Sequence, residues 1–399
     1  MENYVARFEM LGFGMIVHFG LYSILGKGEW YLALNDKADK AKYESLTSKF
    51  VVSKNWAKEL VKTAKESGCK YITLTVRHHD GFSLYDTKGL SDFDVMHSAC
   101  RRDLIKEFVD ECNAQGIMPV FYHTMLDWHC PEYKNDFPKY IDYLEKSLRL
   151  LCTNYGKIGG FWFDGTWDKT DVDWQENRLY GLIKELQPEA MIINNSGLSA
   201  LGKLGHDLLD GVTFERGKPR CCVCETKHVA GEMCQVLNDH WGYAKDDCNY
   251  KSLKSLIEDL VDCRKYNCNF LLNTGLTGRG TIREIDKCIF LEIGKWIKAN
   301  KGFIYSAKAC DVTAENADVL YDDNNYYAII KNVGMSADPN VGLKNNLKSV
   351  KINTEGKIKN VKWLDNGKAV KTKDNSFEVV PFAYGTSRAV RVARFTIEK

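Results

Sequence analysis

Asp164 closes the run Gly159-Gly160-Phe161-Trp162-Phe163-Asp164-Gly165, in which bulky apolar residues lead directly into a carboxylate and then a glycine. A buried strand has this look when it ends at a cleft and the chain must turn at once. An ionised carboxylate there can serve as a nucleophile or a base, but taken alone it can equally cap the next turn. Other strand ends bear on the choice. His18 closes the apolar run from Phe13, His78 and His79 follow the stretch 71–76, Tyr122 and His123 close 118–122, and Glu29, Trp30, Tyr31 and Trp128 lie in loops between them. Imidazoles and aromatics around one carboxylate suit a monosaccharide, whose hydroxyls need donors and acceptors and whose apolar faces stack on rings. The rival is a metal-dependent barrel hydrolase, with His18, His78 and His79 supplying imidazoles and Asp164 a carboxylate. Against it, no His-x-His pair stands at a strand end, and adjacent His78 and His79 point to opposite sides if their strand runs through them.

Such a constellation needs a scaffold that brings many strand ends to one face. Helical spacing runs through 55–68, where Leu60, Val61 and Ala64 share one face and Lys58, Lys62 and Lys65 the other, and through 102–113, 138–155, 174–186, 253–267 and 282–300. Strand-like runs at 13–18, 71–76, 118–122, 190–194 and 269–272, with the one ending at Asp164, alternate with these helices, and 196–252 reads as mostly polar. The alternation argues for parallel pairing, and a count near eight for a closed (β/α)8-like barrel with its chemistry at the carboxyl ends of the strands. No Gly-x-Gly-x-x-Gly stands at a strand-to-helix turn, which disfavours a doubly wound sheet. Beyond Ile304 short alternating stretches take over, separated by turns such as Asp322-Asp323-Asn324-Asn325 and Asp365-Asn366-Gly367. The expectation is a barrel over 1–303 followed by a C-terminal antiparallel β-sandwich over 304–399.

A chain of 399 residues can bury a core of that size, and its net charge of +2 offers no global field for nucleic acid or an acidic membrane. Small neutral partners are expected, with no nucleic acid and no membrane; a homo-oligomer is compatible with the composition. The 14 cysteines are scattered singly, as reduced thiols are, and with no signal-peptide pattern at the N-terminus the expectation is a cytoplasmic protein. Cys221, Cys222, Cys224, His228 and Cys234 form a cluster, but without paired Cys-x-x-Cys knuckles, so no metal is expected there.

Seven segments then occur in a telling order: His18-Phe19-Gly20, Glu29-Trp30-Tyr31, His78-His79-Asp80-Gly81-Phe82, Asp127-Trp128-His129, Trp162-Phe163-Asp164-Gly165, His240-Trp241-Gly242-Tyr243 and Asn269-Phe270-Leu271-Leu272-Asn273. From about Leu11 to Tyr305 the sequence resembles the alpha-L-fucosidases of glycoside hydrolase family 29. The resemblance implies a barrel with a C-terminal β-sandwich, a retaining exo-glycosidase acting on terminal alpha-linked L-fucose in fucosylated glycans or fucosides, and neither metal nor other cofactor. It places Asp164 on the nucleophile, His18, His78 and His79 on residues that bind fucose hydroxyls, Glu29 on a sugar-binding carboxylate, Trp162 on an aromatic wall and Tyr122 on a pocket tyrosine; Trp30, beside Glu29, joins the substrate-binding set. For the acid/base it points to Glu225, with Glu215 second and Glu232 a further competitor, although Cys224 stands where the family has tryptophan. The family's Asn-Asn-Arg strand end reads Asn194-Asn195-Ser196 here, so its arginine contact passes to Arg216 or Arg220 or is lost. The 6-deoxy sugar's methyl group needs an apolar niche, which Trp162, Phe163 or Phe270 is expected to help line. A non-catalytic fucose-binding protein on the same fold is the alternative that the altered Cys224-Glu225 neighbourhood raises, ahead of the metal-dependent hydrolase.

Overall fold

Eight short segments pair side by side, all parallel, and close on themselves: β1 (Phe13–His18), β2 (Tyr71–Arg77), β3 (Met118–Thr124), β4 (Gly160–Asp164), β5 (Met191–Asn194), β6 (Gly211–Thr213), β7 (Ala230–Gln235) and β8 (Cys268–Gly275). β8 returns to β1 in register from Phe13↔Phe270 to His18↔Gly275. These features come from a computed structural model, which describes residues 3–222, 224–336, 340 and 347–398. Because side chains alternate along a strand, β4 sends Phe161 and Phe163 outward against the helices. Trp162 and Asp164 point inward, Trp162 joining Ile16, Tyr71, Val120, Tyr122 and Leu271 inside the barrel. Fully burying one such side chain stabilises by about 1.5–3 kcal/mol, so shifting the register by one residue would cost several such contributions at once.

The helix α1 (Tyr4–Glu9) closes the amino-terminal end of the barrel with Val5 and Phe8, the Phe8 ring 5.1 Å from Tyr71. Around the outside lie α2 (Trp56–Glu66), α3 (Leu104–Gln115), α4 (Phe137–Asn154), α5 (Glu176–Leu186), α6 (Leu253–Lys265) and α7 (Glu284–Ala299). Their starts are capped as the sequence dictates: Asp103 accepts from Lys106 N, Asp136 from Lys139 N and Ser252 from Ser255 N, each cap worth about 1 kcal/mol. β6 and β7 fall inside the stretch read as polar. Among the described residues no α-helix separates β5 from β6 or β6 from β7, only a short 3-10 turn at Leu198–Ala200. On this side the barrel wall is covered by loops.

The C-terminal strands form two antiparallel sheets. One runs in the order Lys357–Trp363, Arg391–Glu398, Tyr326–Ile330, Asp318–Tyr321, Lys308–Ala309; the other in the order Thr313–Glu315, Ser349–Asn353, Ser376–Glu378, Thr372–Lys373. They share a core that includes Ala328, Val350, Ile352, Trp363, Phe377 and Phe395. Trp296 of α7 donates its indole N–H to Val390 O at 3.0 Å, and the Phe303 and Tyr327 rings meet at 5.2 Å, tying this part to the barrel. Among the described residues no helix is long and apolar enough to cross a membrane.

Candidate active site

At the carboxyl ends of the strands a narrow pocket is lined by Ile16, His18, Trp30, His78, His79, Tyr122, Trp162, Asp164, Trp167, Asn195, Glu215 and Trp241. It opens into a chamber of about 900 Å3, and Trp30, Trp167, Glu215 and Trp241 line both spaces. Asp164 is the last residue of β4. The chain turns away at Gly165, whose φ of +98° and 2.6 Å approach of a would-be Cβ to Leu126 both require glycine.

Four groups surround the Asp164 carboxyl. Tyr122 donates its hydroxyl to Oδ2 at 2.7 Å, and His79 Nε2 faces the same oxygen at 3.4 Å. Trp167 Nε1 and Asn195 Nδ2 donate to Oδ1 at 3.0 and 3.2 Å. Burial works to raise this carboxyl, yet the contacts from His79, Tyr122 and Trp167 outweigh it and hold Asp164 below the usual carboxylate range. It stays ionised although it is buried.

The second carboxyl is Glu215, just beyond β6, and Asn195 links it to the first. Asn195 Nδ2 donates at 2.8 Å to Glu215 Oε2 while also reaching Asp164 Oδ1, and its own Oδ1 accepts from Thr213 Oγ1 at 2.9 Å. Since one nitrogen touches both carboxyls at 3.2 and 2.8 Å, those two oxygens lie no farther apart than the sum, 6.0 Å. Burial first, and the charge of Asp164 second, push the Glu215 carboxyl up against the opposing pull of Asn195. The two neighbouring carboxyls are thus pushed in opposite directions, Asp164 down and Glu215 up.

The other expected residues divide by depth. His18 Nδ1 bonds Asn273 Oδ1 at 2.7 Å, and because the Asn273 amide donates to Trp241 O, its oxygen faces the ring and His18 Nε2 is left as an acceptor. Burial lowers His18 despite Glu29 and Asp164 nearby. The strand ends at Arg77, so His78 and His79 do not diverge; both rings line the same pocket with centroids 4.2 Å apart. Burial, then the neighbouring His79 and His18, drive His78 well below the imidazole range, and it is neutral. Thr124 Oγ1 gives its hydrogen to Leu126 O and so accepts from His79 Nδ1 at 2.7 Å, orienting Nε2 toward Asp164. Trp30 packs against Trp128, Trp167 and His79 at the mouth. Glu29 lies on the chamber side, its Oε2 accepting from Gly242 N at 2.6 Å, and a Cβ on Gly242 would come within 3.0 Å of Glu29 atoms.

The family model described as alpha-L-fucosidase matches residues 2–302, three quarters of the chain. The chain belongs to the alpha-L-fucosidase family. In structure it is similar to alpha-L-fucosidase isoenzyme 1 from Paenibacillus thiaminolyticus, at 30% identity and TM-score 0.87, with 100% of this chain and 99% of that one covered. In sequence it is 26% identical over 358 residues to the tissue alpha-L-fucosidase of Bos taurus, covering 82% of this chain and 74% of the relative. A Bacteroides thetaiotaomicron family 29 alpha-L-fucosidase, trapped as a covalent intermediate with 2-fluoro-fucosyl fluoride, shares the fold at TM-score 0.82 and 22% identity over 100% of this chain and 97% of its own.

Several of the expected side chains lie away from the sugar pocket. Glu225 is exposed and lines neither the pocket nor the chamber, whereas Glu215 lines both. Glu232, the further competitor, lines neither space; it sits on β7 inside the barrel, bonded to Tyr71 and Trp162. Phe163 and Phe270 belong to the core outside the barrel, so of the three side chains expected beside a methyl group only Trp162 reaches the pocket, together with Ile16. Of the two candidate arginines, Arg216 enters the chamber, its guanidinium 5.2 Å from the Trp241 ring, while Arg220 lies over Phe214 outside both spaces. Ile16, Trp167, Asn195 and Trp241 line the pocket without having been assigned to the site from sequence. Asn195 carried a signal, a polar strand end like the others; Trp167, three residues past Asp164, carried none beyond proximity.

Proposed function

We propose that the protein is a retaining exo-glycosidase that removes terminal alpha-linked L-fucose from fucosylated glycans or fucosides, with Asp164 as nucleophile and Glu215 as acid/base. The observation that carries this reading is the Asn195 amide held between both carboxyls, because a separation near 5 Å serves double displacement whereas inversion needs room for a water at about 6.5–9.5 Å. Asp164 attacks the anomeric carbon as the Glu215 proton passes to the departing oxygen. The resulting fucosyl ester on Asp164 is then cleaved by a water whose proton returns to Glu215, regenerating both groups. His18 and His78, both neutral, with His79 and Glu29, bind the hydroxyls, and Trp162 and Ile16 receive the apolar methyl. The chamber beyond Glu215 receives the leaving group. Proton NMR of the first-formed sugar tests the reading: alpha-L-fucose must appear before the beta anomer, and initial release of the beta anomer refutes it.

A further inference from the structure

Glu232 is a buried carboxylate that this reaction does not use. It projects from β7 into the barrel beneath the sugar pocket, 1% exposed, and accepts from the Tyr71 hydroxyl and, at 2.9 Å, from Trp162 Nε1. The Trp162 ring lies flat on Tyr122, with centroids 5.5 Å apart and planes 19° from parallel, and the Tyr122 hydroxyl holds Asp164 Oδ2 at 2.7 Å. A carboxylate among apolar side chains is costly, and an apolar residue of similar volume often packs such a position at least as well. Stacking alone leaves an indole free to rotate in the plane of the stack; a fixed acceptor for its single N–H removes that freedom. We infer that Glu232 is a positioning residue for the reaction: by gripping the Trp162 indole nitrogen it fixes the ring against which Tyr122 rests, and through Tyr122 the direction in which Asp164 points.

The inference rests on Asp164 being the nucleophile. The ionisable groups facing Glu232 are Tyr71 from β2 and Cys234 from its own strand, both pushed well up by burial, so neither loses its proton near neutrality. Burial raises Glu232 itself to about 7, Tyr71 and Trp162 opposing only in part.

The test is a double-variant cycle on an aryl alpha-L-fucoside. Glu232→Leu is expected to lower kcat/KM by about tenfold or more, chiefly in kcat, and to add nothing further in a Trp162→Phe background. Glu232→Gln keeps an oxygen for the indole and is expected to stay within about threefold of wild type. A Glu232→Leu protein within about twofold of wild type, or two effects that simply multiply, overturns the inference. Where Glu232→Leu does not fold, the Trp162 indole N–H signal, identified by its absence in Trp162→Phe, decides: it must shift as wild type crosses about pH 7 and stand still in Glu232→Gln. An indole signal that ignores pH in wild type sinks the Glu232 contact without turnover being needed, whereas a wild-type enzyme without turnover sinks the Asp164 reading instead.

Discussion

Glu215 and Glu225 separate cleanly on substitution to alanine. Glu215→Ala removes a carboxyl that lines both sugar pocket and chamber and that is raised by burial and by the Asp164 charge, the state an acid must be in to protonate a leaving oxygen. General acid catalysis is worth about 10²–10⁴ in rate, or about 3–5 kcal/mol of barrel-site activation energy. The whole of that loss should appear with a fucosyl disaccharide, whose alkoxide cannot depart unprotonated. With a nitrophenyl fucoside, whose phenolate leaves unaided, most of it should vanish from the first step and only ester breakdown should slow. The space vacated by the side chain opens onto the chamber, so azide should enter and restore turnover, giving the fucosyl azide of retained configuration. Glu225→Ala, at a residue that lines neither space and is exposed to solvent, should stay within about twofold of wild type. The assay is kcat/KM for both substrates with and without azide, with NMR of the azide adduct. Equal losses on the two substrates and no azide product, or a large loss in Glu225→Ala, would refute the assignment.

Asp164→Asn should cut turnover by about 10³-fold or more on every fucoside, good leaving group or not, and a slow fluorinated fucosyl donor should label Asp164 in the wild type by mass spectrometry. Tyr122→Phe deletes a hydrogen bond to a charged oxygen worth about 1.5–3 kcal/mol. Since that donor helps hold Asp164 low, its removal should raise the carboxyl and move the acidic limb of the kcat/KM profile to higher pH; an unmoved limb counts against it. Glu232 also bears on stability. Its folded-state value of about 7 stands above the ordinary 4.5, so the stability it contributes is fully present below about 4.5 and is lost as pH rises through about 7. That loss approaches about 3 kcal/mol. Urea midpoints should therefore show Glu232→Gln gaining on wild type between pH 5 and pH 8; a constant gap between the two proteins at both pH values contradicts this.

The barrel was legible wherever its strands are runs of apolar residues between amphipathic helices, as from Phe13 to Asp164, because burial on two faces leaves an unmistakable pattern. β6 and β7 escaped notice for physical reasons. β6 is three residues long, and β7 reads Ala-Gly-Glu-Met-Cys-Gln, with a carboxylate pointing inward where pattern reading expects an apolar side chain. Missing those strands also left the place of Glu215 unseen. Glu215 is recognisable as a strand-end carboxylate only once β6 is known to end beside it, and without that strand Glu225 takes first place through its neighbours in sequence. Asp164, His18, Tyr122 and Trp162 lie on strands with strong patterns and His78 and His79 follow one, and all six line the pocket. Glu29 is different: it reaches the site from a loop, and only the Gly242 contact explains how it is held.

The absence of α-helices among the described residues between β5 and β7 divides the molecule into parts that can change at different rates. Fucose recognition rests on strands locked by a shared core, where any insertion would disturb register all round the barrel. The loop side bearing Leu198, Ser199 and Arg216 borders the leaving-group chamber and carries no packed helix to displace. Lengthening or recomposing those loops would give descendants with new glycan tastes while the sugar-cleaving centre passed down intact.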